Sequence, residues 1–226
     1  MTKKELLKRY IVLVFGLFFA ALGVAFASHA DLGVSPVSSV ANVLSLKFDI
    51  FKIGDLQIVL TLGKWLIIWN CILIIGQILV LRKNFQPIQL LQIPLSFLFG
   101  YFTDFGLWLV APIPADLYPV RLLLVFIGLV ILGLGITLAV IADTIMNSGE
   151  AFVKAVSDTI HKDFGNVKVI FDISCVVTAV ILSLIFFDFK ILGTREGTVI
   201  TAVCTGFVVK FLKRRLTEPI TDILTK

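Results

Sequence analysis

Charge is what this chain has least of. Only 15% of its 226 residues are Asp, Glu, Lys or Arg, while 58% are hydrophobic and the mean hydropathy is +1.04. Soluble domains carry about a quarter charged residues. A soluble fold of this length could not bury so much apolar surface, so lipid must cover much of it. No stretch is left over for a soluble domain of any size.

Histidine and cysteine are scarce as well. There are two histidines, and Cys71, Cys175 and Cys204 each lie inside an apolar run with no CxxC or Cys/His spacing. That excludes a zinc site and leaves the cysteines as small hydrophobes. HExxH and GxSxG are missing, and the turns between apolar runs are too short for a catalytic domain. No catalytic residue, metal or cofactor is therefore expected. Nor does a small-residue cleavage site precede a polar mature segment, as a signal peptide requires. The net charge of +5 would raise nucleic acid as a partner in a soluble protein. Here Lys3, Lys4, Lys8 and Arg9 precede the first apolar run, and Lys210, Lys213, Arg214 and Arg215 close the last. Charges so placed flank membrane spans, and nucleic-acid binding is not expected.

What is present is a series of apolar segments. A spanning helix needs about 20 mostly apolar residues, and six segments qualify: Tyr10–Ser28, Trp65–Leu81, Ile88–Val110, Val120–Ala142, Val167–Phe187 and Ile191–Leu212. Gly54–Leu62 reads as a lead-in turn to the second. Lysine and arginine mark the cytoplasmic side. With the N-terminus inside, 14 of these residues fall on the inner side and six on the outer. Both termini are therefore expected in the cytoplasm.

An internal repeat emerges when Arg9 is aligned with Arg121. Over the 37 positions from Arg9 to Ser45, nine are identical, among them Gly16/Gly128, Gly23/Gly135 and Asp31/Asp143. Apolar bias does not readily place an arginine, two glycines and an aspartate in register. Shifted offsets then pair Gly63 and Asn70 with Gly165 and Asp172, and Gly100 with Gly206. Each half contributes three spans, and an odd number forces the second half to enter from the opposite face, as in many secondary transporters.

Each half also breaks after its first span. Ser35 before Pro36 is a helix-start pair, the serine oxygen capping free N–H groups. The following residues form a short amphipathic helix, with Val37, Val40, Ala41 and Leu44 on one side and Ser38, Asn42 and Ser45 on the other. In the second half Asn147 takes the place of Ser35, Glu150 stands at capping-box spacing, and Lys154, Asp158, His161 and Lys162 make the polar side. Such helices either lie in the membrane interface or dip inward, their N-termini then helping to form a polar site.

Polar residues within or at the ends of spans are the candidate site. Asp31 and Asp143 sit 22 residues after the arginine that opens their helix, roughly 33 Å along it. Asn70 and Asp172 lie a turn or two into theirs. Packing neighbours would bring Asn70 toward Asp31 and Asp172 toward Asp143, with Glu150 as a third carboxylate of the second group. Intramembrane ionisable groups are functional candidates by default, so Asp31, Ser35, Asn70, Asp143, Asn147, Glu150 and Asp172 are expected to bind a substrate or ion. Asp104 and Lys210 read as flanking charges, and His29 as an interfacial polar residue. Gly193 and Gly197 permit a tight turn before the last span.

The stretch from Ala21 to Phe26, the run Ala30-Asp-Leu-Gly-Val-Ser-Pro36, Ser39, Leu44-Ser45 and the Gly193-Thr194 turn resemble the YczE/YitT-like bacterial membrane proteins. With no soluble segment after the last span here, the likeness is to the YczE type. It implies a bacterial cytoplasmic-membrane protein and supplies no substrate.

The sequence thus reads as one all-α integral membrane domain, residues 1–226, with six transmembrane helices arranged as two inverted three-helix repeats, about 9–112 and 121–216. Each repeat carries a short amphipathic helix after its first span. The expected function is a small-molecule or ion permease. The alternative is a non-transporting scaffold or regulator of another complex. The expected partners are the lipid bilayer and an unknown small molecule or ion, and a homo-oligomer is compatible with the pattern.

Overall fold

The computed structural model describes residues 3–53 and 56–225. The described residues form eight α-helices and one pair of strands: α1 (Lys3–His29), α2 (Pro36–Lys47), β1 (Ile50–Ile53), β2 (Leu56–Val59), α3 (Leu62–Leu81), α4 (Gln92–Val110), α5 (Tyr118–Ala142), α6 (Ser148–Ile160), α7 (Phe164–Phe186) and α8 (Glu196–Thr225). Two 3-10 turns, Arg82–Asn84 and Pro87–Leu91, join α3 to α4. Among the described residues, five segments are long and apolar enough to cross a membrane, which fits a multi-pass membrane protein. They are Lys3–His29, Leu62–Asn84, Pro87–Val110, Tyr118–Ala142 and Phe164–Phe186.

The expected sixth span, Ile191–Leu212, is not among them. The chain after α7 turns through Asp188 and Phe189, both with positive φ, and Ser183 holds the turn by donating to the carbonyls of Lys190 and Leu192 and accepting from the Leu192 N–H. Helix α8 therefore starts only at Glu196, and the uncharged run before Lys210 is short. A second correction concerns the segment before α3. Instead of a lead-in turn, β1 and β2 pair antiparallel with Ile50 opposite Val59 and Ile53 opposite Leu56.

Helices α1 and α5 form the central seam. Gly16 of α1 lies against Gly135 and Gly23 against Gly128, so the two run antiparallel. A Cβ on Gly23 would sit 2.6 Å from the Gly128 carbonyl oxygen, and one on Gly16 2.9 Å from that of Gly135. Small residues here let the backbones approach. The ends of the seam are latched. Arg9 Nη1 donates to the Ala142 carbonyl at 3.1 Å, and Arg121 Nη1 meets Asp31 Oδ2 at 3.3 Å. These define an Arg9 end and an Asp31 end of the bundle.

Around the seam, α4 packs on α1 and α8 on α5, while α2 packs on α7 and α6 on α3. Helix α4 runs parallel to α1, Gly106 beside Ala25 and Phe18 beside Phe102. Helix α8 runs the other way: Gly197 N–H donates to Leu32 O, and Lys8 Nζ reaches Ile223 O near the far terminus. Helices α3 and α4 touch through Gly63 and Gly100. The residues at the corresponding places on α7 and α8 do not: Gly206 has nothing within 4 Å of a notional Cβ, and Gly165 only the Asp163 carboxylate.

Candidate functional site

Asp31 lies two residues past the end of α1 and Asp143 directly after α5, and both aspartates have left-handed backbones, φ 53° and 47°. Asp tolerates this region better than most residues because its short side chain can bond locally. The chain then reverses into α2 and α6. Pro36 stands in the first turn of α2 with its φ already set. The expected caps differ in detail. Ser35 Oγ donates to Ser38 Oγ at 3.0 Å and does not cap the backbone. Asn147 Oδ1 accepts from Ser148 N at 2.9 Å, and Glu150 does not reach back to close a capping box.

Both short helices are packed within the bundle. Their first turns meet: a Cβ on Gly149 would lie 3.1 Å from Val37. On the expected polar side of α2, Ser38 and Asn42 are buried and Ser45 is half-buried, and the neighbouring Ser39 is buried as well. Each hydroxyl or amide finds a partner there, because a buried polar group without one costs about 1–3 kcal/mol. Ser39 Oγ donates to Pro36 O, and Asn42 Nδ2 donates to Gly193 O at 2.8 Å. Its Oδ1 accepts from Ser28 Oγ.

The candidate residues form the expected groups only in part: Glu150 and Asp172 share an environment, whereas Asn70 does not approach Asp31. Asn70 is buried in α3, and its Oδ1 accepts from Ser148 Oγ at 2.7 Å, not from anything near Asp31. It joins Asn147 and Ser148 across the two halves, because α6 packs on α3. The Asn70 Nδ2 has no partner among the described residues. Asp172 is paired with Lys168 one turn earlier, Nζ to Oδ1 2.6 Å. Their shared environment includes Glu150, at the start of α6, whose carboxyl burial pushes up. Lys168 pulls it down and Asp172 pushes it up further. Asp31 is exposed at its end of the bundle with Arg121, and Asp143 is exposed at the other.

One neighbouring reading is also corrected. Asp104 is no flanking charge: it accepts from Gly63 N at 2.8 Å and Thr61 Oγ1 at 2.6 Å, closing the first turn of α3. His29 Nε2 lies 2.8 Å from Ile113 O and ties α1 to the α4–α5 turn.

One large cleft was not foreseen. A cavity of about 1370 Å³ opens at the Arg9 end between the last turns of α3, the two 3-10 turns and α6. Gln77 and Gln92 reach its wall, with Thr144 and, nearer the mouth, Arg82, Lys83 and Lys154. Gln77 lies in an apolar run, Ile74-Ile75-Gly76-Gln77-Ile78, two turns from Asn70 on the same face of its helix. An uncharged amide inside a span was the available signal. At the Asp31 end the corresponding space is filled. Gly193, at φ +74°, packs on Asn42, Val43 and Leu46, and Gly33, at φ +96°, packs on Thr198 and Arg195. Any side chain at either glycine would meet both a strained backbone and an occupied space. Among the described residues no cluster of His, Cys, Asp and Glu could hold a metal ion.

The chain belongs to DUF6198, a family of unknown function, which matches it over residues 7–214. The match gives no support to the narrower YczE/YitT likeness. No curated protein and no solved structure matches the chain.

Proposed function

We propose that this DUF6198 member is a small-solute permease of the bacterial cytoplasmic membrane, built from two inverted halves that alternate access to a polar site between them. One observation carries the reading: two equivalent clefts are in different states. At the 112-residue offset, Asn42, Val43 and Leu46 of α2 correspond to Lys154, Ala155 and Asp158 of α6. The first three are covered by Gly193. The second three line the open cavity. A bundle duplicated for stability alone has no need to close one and leave the other open.

Further support comes from the packing. The equivalent helices α1 and α5 are antiparallel, and the pairings α1 with α4 and α2 with α7 recur as α5 with α8 and α6 with α3. The pattern breaks where α3 meets α4 through glycines and α7 makes no such contact with α8, so the halves differ in shape as alternation requires. The lysine and arginine bias puts the Arg9 end in the cytoplasm, making the present state open inward. The polar site lies where the first turns of α2 and α6 meet, with Asn70, Asn147, Ser148, Glu150 and Asp172 around it. Asp31, Asp143 and Ser35 act at the reversals that set those turns. Kinship with the YczE/YitT-like proteins belongs to the same proposal and rests on the Ala30-to-Pro36 motif.

The scaffold reading is favoured by one observation, that Asp31 and Asp172 are already engaged by Arg121 and Lys168. Metabolite accumulation in deletion cells, compared with cells carrying the wild-type gene, separates the two. A solute whose uptake or efflux follows the gene supports transport; identical metabolite profiles leave the scaffold reading in its place.

A further inference from the structure

The cavity at the Arg9 end holds polar groups that the fold does not use. Gln77 and Gln92 are 1% and 3% exposed, yet the Oε1 of each has no hydrogen-bond partner among the described residues, and neither has Thr144 Oγ1. All three residues line the same cavity. They come from different places in the chain: α3, the start of α4, and the α5–α6 turn. The antiparallel α3–α4 register, Gly63 beside Gly100 and Gly100 beside Ile67, brings Gln77 level with the residues around Gln92. Buried acceptors left unpaired are costly, and two primary amides with a hydroxyl on one wall are more than packing accounts for. A pair of glutamines in a core would be expected to bond each other or the backbone.

The mouth has a different character. Arg82 and Lys83 close α3 and are exposed on the wall, and Lys154 and Asp158 pair with each other across the cavity's other side at 3.4 Å. The Lys154–Asp158 pair cancels, so the net fixed charge of the mouth is positive. Acceptors at the bottom call for a ligand with N–H or O–H donors, and cations at the mouth call for an anionic group.

We propose that this cavity binds a small organic anion rich in hydrogen-bond donors, a hydroxy- or amino-carboxylate, with its donors on Gln77, Gln92 and Thr144 and its carboxylate toward Arg82 and Lys83. The assignment rests on the permease reading for its biological sense, but binding is measured without transport. Gln77 stands two turns from Asn70 along α3, so a solute held here is on the path to the point where α2 and α6 meet.

The test is thermal unfolding of the purified full chain in detergent, followed by tryptophan fluorescence, with D-gluconate, L-serine and L-glutamate as probes. Acetate, which has the charge without the donors, and glycerol, which has the donors without the charge, serve as controls. At least one probe stabilises the protein at concentrations where both controls do nothing. Gln92→Leu and Thr144→Val each weaken that probe by about tenfold, while Arg82→Gln/Lys83→Gln weakens it and removes its salt dependence. Gln77→Asn, which keeps the amide but shortens its reach, guards against a variant that fails to fold. Size-exclusion profiles like that of the wild type qualify each variant. Acetate acting as well as the probes, undiminished binding in Gln92→Leu and Thr144→Val, or no stabilisation by any of the three probes overturns the assignment. Binding without gene-dependent uptake removes the permease reading and leaves the site. Uptake unaffected by Gln92→Leu does the reverse.

Discussion

Asn42 Nδ2 donates to the carbonyl of Gly193 at 2.8 Å, joining residues 151 positions apart. This bond holds the turn before α8 against α2 and closes the Asp31 end. Asn42 is buried, and it also accepts from Ser28, so its amide is used on both sides. The equivalent residue on α6, Lys154, is exposed on the wall of an open cavity.

Asn42→Ala removes both bonds and leaves the Gly193 carbonyl without its partner, a loss of about 1–3 kcal/mol. Gly193→Ala adds a backbone penalty of roughly 1–2 kcal/mol at its positive φ. Both changes loosen the turn that packs on Val43, which shares a buried cluster with Val40, Cys175 and Ala179. In a Cys71→Ser/Cys204→Ser background, a membrane-impermeant maleimide labels Cys175 faster in either variant than in the parent. Equal labelling rates would show that the turn is no gate.

The α1–α5 seam and the α7–α8 gap respond oppositely to bulk. Gly23→Leu and Gly128→Leu force apart backbones already in contact, at a cost of about 1–3 kcal/mol or more. Gly206→Leu meets nothing within 4 Å and costs little. The yield of monodisperse protein from size exclusion falls for the first two and stays at the wild-type level for the third.

Glu150 gives stability a pH dependence. Its carboxyl is pushed above the ordinary value of 4.5 by burial, so between the two values the folded chain binds more protons than the unfolded one. Stability contributed by the protonated form is present at and below pH 4.5 and declines as pH rises through the raised pKa. Glu150→Gln stays neutral at all pH and flattens that part of the curve. Melting temperatures of the two proteins, measured across pH 4.5 to 8, converge at the acidic side and separate toward the alkaline side, with the variant higher.

The orientation of the proposed permease can be read by fusions. With α8 crossing as a sixth span, 14 of the 20 lysines and arginines fall on the inner side, and reporter proteins joined at Thr2 and at Lys226 both report a cytoplasmic location. An external signal from either terminus refutes both the proposed orientation and the inward-open assignment.

The sequence by itself determined the helices and their breaks. Apolar runs gave α1, α3, α4, α5 and α7 to within a few residues, apart from the N-terminal lead of α1 and the 3-10 turn that precedes α4. Asp31 and Asp143 marked the reversals because the same short carboxylate side chain ends each helix in the same left-handed backbone. Such signals are local: a charge, a proline or a left-handed residue acts within a turn of itself. Partnership is not local, and the tertiary structure alone decided it. Asn70 met Ser148 of the other half because α6 packs on α3, and Asp172 turned to Lys168 on its own helix. Helix α8 began later than Ile191 because Ser183, in α7, holds the chain at Leu192. Gln77 looked like one polar residue in an apolar run until the fold set it beside Gln92 on one cavity wall. In helices covered on every side the hydrophobic period fades, so the residue pattern tells that a segment is helical and apolar, while the choice of face and neighbour is left to long-range packing.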